Sequence, residues 1–276
     1  MIGSVVVLYN PTIEEIKNIN TYLAKVDFAE IIDNSECSNE DMINSIISDL
    51  SKVEYYTEQK NIGLCKGLNI GVNKLREKGC EWALLLDADS KIGTDILKVY
   101  QKAIKIYNNK NVALFAPVHI FDRSSNKPYK GYKSVDWSMT SGWIVNIDIF
   151  VKQKGFFEEL FVDGLDMDYC FKSHENGYEI IECGEAVINH NPAETKKVFG
   201  IIRYGIASPN RYYMQARQLI WCWKRYKKTK PIFIYLYKLG KVMFLFPNKM
   251  EYFNKIMKGT KDGFFLWRDY QTEKVR

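Results

Sequence analysis

The sequence has no CxxC pair. Its six cysteines, Cys37, Cys65, Cys80, Cys170, Cys183 and Cys222, are scattered, which argues against a zinc site built on cysteine pairs and reads as reduced thiols in a cytosolic protein. The start, MIGSVVVLYNP, lacks the basic segment that precedes the apolar core of a secretory signal, so it reads as a buried strand. A membrane-spanning helix needs about 20 apolar residues, and the stretch from Pro231 to Pro247 is both shorter and interrupted by Lys238, Gly240 and Lys241. Internal repeats and low-complexity tracts are missing. The glycine count excludes a collagen-like chain, and an apolar fraction of 46% excludes disorder. Carboxylates are scarce at one end only: residues 196–276 hold 19 Lys+Arg against 4 Asp+Glu, and the residues before them 20 against 29. An acidic body can hold cations, and a basic tail meets anions.

What is present is an alternation of strand and helix signals over 276 residues, enough for one large domain with an appendage. Residues 2–9 are a continuous β-branched run ended by Asn10-Pro11, as for a strand buried on both faces. Thr12 with Glu15 has capping-box spacing and predicts a helix to about Lys25. Strands are predicted at Ala29–Asp33, Val53–Tyr56, Trp82–Leu86 and Val112–Ala116, and helices at 39–51, 67–78 and 93–109. Residues 122–134 read as a polar loop, and 161–182 as a carboxylate-rich turn, a helix and a short strand. Such βαβ units build a mostly parallel sheet whose ligands sit at the strands' carboxyl ends, where Asn10, Asp33 and Asp87 fall.

Asp87-Ala88-Asp89 closes one of these strands. Two carboxylates there repel each other unless a cation sits near them. Oxygen ligands favour Mg²⁺ or Mn²⁺, which in turn bridge phosphate oxygens; the alternative is a solvated turn whose Asp caps a helix. Asp163, Asp166 and Asp168 form a second acidic cluster, in FVDGLDMDYCFK. One of them, in a cleft beside the first pair, would suit a general base; the alternative is acidic residues complementing a helix N-terminus.

Tyr9-Asn10-Pro11, Asp33-Asn34-Ser35, Asn61-Ile62-Gly63 followed by Lys66, Gly67 and Asn69, Asp87-Ala88-Asp89, Ser141-Gly142 and Asp166-Met167-Asp168 occur in that order. In these motifs the chain resembles family 2 glycosyltransferases with the GT-A fold, and within them the bacterial rhamnosyltransferase-like branch that builds surface polysaccharides. The likeness covers roughly residues 3–220 and, more faintly, Gly259 to Arg268. It implies an α/β GT-A domain over 1–210 and a basic, aromatic helical extension over 211–276. The implied activity is an inverting transfer of a sugar from a nucleotide diphosphate, dTDP-rhamnose or a UDP-hexose, to a saccharide or lipid-linked saccharide. By that resemblance Asp33 contacts the base, Asn10 and Asn61 line the same pocket, and Tyr9, Lys66, Ser141 and Gly142 belong to the donor site. Asp89 binds the metal, Mg²⁺ or Mn²⁺, with Asp87 nearer the ribose and the metal shell, and Asp166 is the catalytic base. Leu165 stands where the family has Glu, and Lys172 where it has Arg. His190 is a further metal candidate, with a core or surface histidine as the alternative, whereas His119 and His174 read as structural. Arg203, Arg211 and Arg217 suit a diphosphate, because guanidinium forks pair bidentately with phosphate; a solvated basic helix face is the alternative. The run SPNRYYMQAR resembles an RxYYxxRN element of that branch, with Gln218 in place of Asn.

Two other classes compete. A nucleic-acid binder would use the tail's interleaved aromatics and cations, but no RNA-binding signature is present. A sugar-nucleotide pyrophosphorylase would want a glycine-rich basic loop after the first strand, and YNPTIEEIKN is neither. The tail also suits an anionic membrane surface at the cytoplasmic face. Lys224, Arg225, Lys227, Lys228 and Lys230 would each contribute about 1 kcal/mol there, with Trp221, Trp223, Phe233, Tyr235, Tyr237, Phe244 and Phe246 at headgroup level. The alternative is that these aromatics pack a C-terminal helical pair onto the catalytic domain.

Overall fold

Continuous β-branched runs become parallel strands buried on both faces, and amphipathic segments between them become the crossover helices. The computed structural model describes residues 1–92, 95–108, 111–122, 126–189, 194–198 and 202–275. The strands are β1 (Ile2–Leu8), β2 (Phe28–Asp33), β3 (Val53–Thr57), β4 (Trp82–Asp87), β5 (Lys91–Ile92), β6 (Val112–Ile120), β7 (Tyr132–Ser134), β8 (Ile144–Asn146), β9 (Glu179–Asn189), β10 (Glu194–Val198) and β11 (Ile202–Ile206). The helices are α1 (Ile13–Leu23), α2 (Glu40–Ile46), α3 (Leu64–Glu77), α4 (Ile96–Ile106), α5 (Ile147–Lys152), α6 (Leu165–Glu175), α7 (Pro209–Tyr226), α8 (Lys230–Leu245) and α9 (Lys249–Val275).

Two units are present: Met1–Phe161 with Leu165–Asn191, and Val162–Gly164 with Pro192–Arg276. In the first, one sheet runs in the order β3-β2-β1-β4-β8-β6-β9-β5, with β7 also on β9. Strands β1 to β4 are parallel, as are β6 and β9, while β8, β5 and β7 run against their neighbours. Its core joins Leu8, Ile31, Leu84, Leu86, Phe115 and Ile144. A second aromatic group, Trp143, Phe150, Phe156 and Tyr169, stacks at 5.1–6.0 Å between ring centroids. In the second unit β10 and β11 form an antiparallel hairpin. There α7 opens with Ser208, whose hydroxyl accepts from the Arg211 N–H, and with Pro209, and it closes at Lys227 in the left-handed conformation.

The capping box of α1 is formed: the Thr12 hydroxyl accepts from the Glu15 N–H, and the Glu15 carboxylate accepts from the Thr12 N–H. The helix expected over 39–51 stops at Ile46. Asn20 takes over there, donating to the Ile46 carbonyl and accepting from the Ser48 N–H, each at 2.9 Å. The helix expected from Gly67 begins three residues earlier, after Gly63 at φ 85°. The short strand expected within residues 161–182 is Glu179–Asn189 and runs eleven residues, because it pairs with three partners. The β10–β11 hairpin has no counterpart among the sequence expectations.

Glu30, in the middle of β2, is fully buried. The Lys78 ammonium, just past the end of α3, pairs with it and with Glu54 of β3. Burial pushes the Glu30 carboxyl up against the pull of Lys78. Lys78→Met leaves a buried carboxylate without its hydrogen-bonded cation. The expected loss is about 3 kcal/mol, the low end for buried pairs because the Lys78 side chain is 24% exposed. Folded Glu30 then holds its proton to higher pH than the unfolded chain does, so stability falls as pH rises. Urea unfolding of the variant should show a larger deficit at about pH 8 than at about pH 5.

Candidate functional site

The winding of the sheet reverses at β1, which has β2 on one side and β4 on the other. Crevices for ligands open at such switch points, outside the strands' carboxyl ends. Register brings those ends level: Leu8 lies opposite Asp33, Val7 opposite Asp87, and Asp33 opposite Thr57. Asp33 and Asp87 therefore flank β1 at two strand spacings, or about 10 Å.

Asp33 is 1% exposed. Its Oδ1 accepts the Ser35 N–H at 3.0 Å, and its Oδ2 accepts the Tyr55 hydroxyl at 2.7 Å and the backbone and side-chain amides of Asn39 at 3.1 and 3.0 Å. Burial pushes this carboxyl up, but the hydrogen bonds from Ser35, Tyr55 and Asn39 outweigh burial and hold it below its ordinary value. The Ser35 hydroxyl accepts the Asn10 N–H at 2.7 Å, and the Asn34 N–H donates to the Leu8 carbonyl at 2.8 Å. Asn10, at φ 47°, is thus pinned to the neighbouring strand's turn. Tyr9 is half exposed, with its hydroxyl 3.3 Å from Glu36.

The turn after β4 is clamped from both sides. The Asn18 amide, on α1, donates to the carbonyls of Ala88 at 3.1 Å and Ser90 at 2.7 Å. The Ser90 hydroxyl bonds that of Ser141. Ser141 and Gly142 are held in turn: His119 Nε2 donates to the Ser141 carbonyl at 2.8 Å, the Tyr100 hydroxyl to the Gly142 carbonyl at 2.6 Å, and the Gly142 N–H to Leu85 at 2.7 Å. Gly142 sits at φ 81°, and a Cβ there would lie 2.1 Å from the Ile188 side chain, so only glycine fits. Asp87 ends this strand partly exposed, and Asp89 is exposed. Among the described residues no group of three or more His, Cys, Asp or Glu is gathered for a metal. Asp87 and Asp89 offer two hard oxygen ligands, which suits Mg²⁺ or Mn²⁺, ions that keep waters and take their remaining ligands from phosphate. His190 lies outside the described residues.

Between β3 and α3, the Asn61 carboxamide accepts the Gly63 N–H at 3.0 Å, and Lys66 pairs with Glu58 at 3.1 Å. Asn69 is turned away: its side chain brackets Phe156, accepting the N–H at 2.8 Å and donating to the carbonyl at 2.9 Å. Phe161 takes φ 70°, ψ −65°, a strained turn for a residue with a Cβ, costing about 1–3 kcal/mol. Its carbonyl accepts the Cys65 N–H at 3.1 Å, and its ring lies against Gly63. Five residues on, Asp166 is partly exposed in the first turn of α6, with Oδ1 accepting the Met167 N–H at 2.8 Å. Asp168 on the same helix is 2% exposed. Burial pushes the Cys65 thiol up, and Asp168, Glu158 and Asp166 push it further, so the first turn of α3 lies in the field of this acidic cluster. Lys172 binds the Gly155 carbonyl and lies over the Tyr169 ring.

Arg211 and Arg217 lie on α7, in the second unit. Arg211 Nε is 3.4 Å from Asp163 of the same unit, whose side chain is 13% exposed. Burial pushes the Asp163 carboxyl up, against the pull of Arg211 and Lys238. The sequence expectations did not include Asn18, Ser90 or Tyr100, and took His119 only as structural. Ordinary residue types 22 to 72 positions from their partners leave no local signal.

No protein-family model matches the chain. Among solved structures it is similar to GalNAc-T7 with UDP, GalNAc and Mn²⁺, at TM-score 0.62 and 13% identity, over 95% of this chain and 54% of that one. It is also similar to residues 1–349 of S. aureus TarS in complex with UDP-GlcNAc, at TM-score 0.60 and 12% identity, over 94% of this chain and 81% of that one. The fold is that of the GT-A glycosyltransferases. In sequence, the chain is similar to the dTDP-rhamnosyl transferase RfbF of Shigella flexneri, at 25% identity over 295 aligned positions that cover 95% of each. It resembles the rhamnosyltransferase-like branch of family 2.

Asn18→Ala removes two donors from the Asp87 turn, at about 1 kcal/mol each. Thermal unfolding is expected to fall accordingly, and nucleotide affinity with it. Asn18→Asp should be worse than Ala, because a carboxylate then faces two carbonyl oxygens.

Proposed function

We propose that this protein is an inverting glycosyltransferase that moves a sugar, rhamnose favoured, from a nucleoside-diphosphate donor to a polysaccharide or lipid-linked saccharide. It would work at the cytoplasmic face of the cell membrane, in surface polysaccharide synthesis. The observation that carries the reading is the Asp87–Asp89 pair on a doubly clamped turn at the switch point, one strand from the Asn10–Asp33 corner. A thymidine donor is favoured by the similarity to RfbF along nearly the whole chain. Thymine and uracil both present an imide N–H, a donor that a carboxylate such as Asp33 accepts. A UDP-hexose is therefore the second reading, favoured by the UDP bound in the structural neighbours. Tyr212, Trp221 and Tyr226 are buried within the second unit, which removes them from the aromatics a nucleic-acid binder could stack bases on.

In this reading Asp33, Asn10 and Asn61 line the base, with Tyr9 and Lys66 at its rim, and Ser141 and Gly142 hold the floor beside the diphosphate. Asp89, with Asp87, would hold Mg²⁺ or Mn²⁺, which when bound neutralises diphosphate charge. Asp166 accepts the proton of the acceptor hydroxyl as that oxygen attacks the anomeric carbon. The bond to the diphosphate breaks on the opposite face, and the configuration inverts. Asp166 suits this role because it is the partly exposed carboxylate of the α6 pair, whereas Asp168 is buried.

Asp89→Ala is expected to abolish divalent-dependent donor binding, read as the loss of a thermal shift with dTDP- or UDP-sugar plus Mn²⁺. Undiminished affinity with metal present would overturn the assignment. Asp166→Asn keeps shape but cannot accept a proton, so donor binding should persist while transfer falls by about 10²-fold or more. Near-normal turnover in that variant would refute Asp166 as the base.

A further inference from the structure

The second unit turns one helix inside out. On α8 the large apolar residues Phe233, Leu236, Tyr237, Met243 and Phe244 are 67, 53, 66, 42 and 87% exposed. Gly240 completes the row, with open space where a Cβ would be. Positions 233, 236, 237, 240, 243 and 244 advance by three and four, so they form one stripe along a helix about 24 Å long. The polar groups of α8 face inward instead. Lys238 donates to Gln215 at 2.8 Å, Lys241 to the Gly205 carbonyl at 2.8 Å, and the Tyr235 hydroxyl bonds Thr260 at 2.9 Å. A helix bathed only in water places its apolar stripe inward, and an exposed patch of this kind marks an interaction surface.

We infer that this outward face of α8 docks on an anionic phospholipid bilayer. Charge chooses the partner. No Asp or Glu occurs from Arg211 to Met250. Exposed Lys227 and Lys228 stand before the helix, exposed Lys230 opens it, and exposed Lys249 follows it, beside Met250 at 63% exposure. An apolar row with cations at both ends matches acyl chains bordered by headgroup phosphates. A second copy paired antiparallel through the same stripe would set the lysines at one end against Lys249 of the other, which like-charge repulsion opposes. The structure also narrows the sequence expectation for the tail. Trp221, Tyr235 and Phe246 are buried and cannot reach a membrane. Lys224 lies over the Trp223, Phe264 and Trp267 rings at 4.5–5.5 Å, and Arg225 over Tyr226 and Tyr270 at 4.7 and 5.4 Å, so both pack the unit itself.

The inference deepens the peripheral location proposed above, and its test is separable from the transferase reading. The full chain would be sedimented with vesicles of phosphatidylcholine alone or mixed with phosphatidylglycerol, at rising salt. Binding is expected only to the mixed vesicles and should weaken as salt rises. Phe233→Ser, Tyr237→Ser and Phe244→Ser together should lower it at least about tenfold, without moving the unfolding midpoint, because the three side chains are exposed. Lys228→Glu with Lys249→Glu should remove the salt-sensitive part. Equal binding to both vesicle types, binding to neither, or wild-type binding by the triple variant would overturn the inference. So would a concentration-dependent dimer, seen by sedimentation velocity and lost in the triple variant. Transfer to a water-soluble acceptor should survive in the triple variant; its absence from a wild-type protein that still binds vesicles would refute the transferase reading alone.

Discussion

Parallel register is the constraint on which the site rests. Strands β1, β2, β3 and β4 share one direction, so their hydrogen-bond ladders carry each carboxyl end to the same edge. Polar residues that end these runs therefore collect in one place. Asp33 and Asp87 come from segments 54 positions apart in the chain, yet each sits one strand from Leu8. A register slip of one residue on β2 or β4 would turn every side chain of that strand to the other face.

Level strand ends do not by themselves make a rigid site, and much of the chain is spent on holding turns. Asn10 is pinned by Ser35, and Asp33 is held by Ser35, Asn39 and Tyr55. The Asp87 turn is tied to α1 through Asn18 and to the Ser141-Gly142 corner through Ser90. His119 and Tyr100 brace that corner from within the sheet and from α4. Asp89, exposed, and Asp87, partly exposed, thus stand on a turn braced from two sides. In the proposed reading such bracing matters, because supports fixed in advance cost no reorganisation when a ligand arrives.

The second unit follows a different logic. Its helices spend their aromatics on one another: Tyr212, Phe246 and Tyr252 meet edge to face, as do Trp221 and Tyr270. Cations lie over some of those rings, Arg225 over Tyr270 and Lys238 over Tyr212, in a unit where carboxylates are few. With Lys238 and Lys241 drawn inward, α8 is left to present its apolar stripe outward.

The sequence by itself determined the strand–helix alternation of residues 1–120, the capping box of α1, and the acidic turns at Asp33 and Asp87, because those signals are local: side-chain periodicity, cap spacing and the polar ends of apolar runs. It also marked the tail as basic and aromatic. Only the tertiary structure decided which polar residues act as braces. Asn69, one of the residues that carried the family resemblance, supports Phe156, and Asn18, an ordinary helix residue in the sequence, clamps the Asp87 turn. The same holds for the tail, where Tyr235 goes inward and Tyr237, two positions on, goes outward. Composition is blind to that choice, because which face of a helix is covered depends on neighbours brought in from elsewhere in the chain.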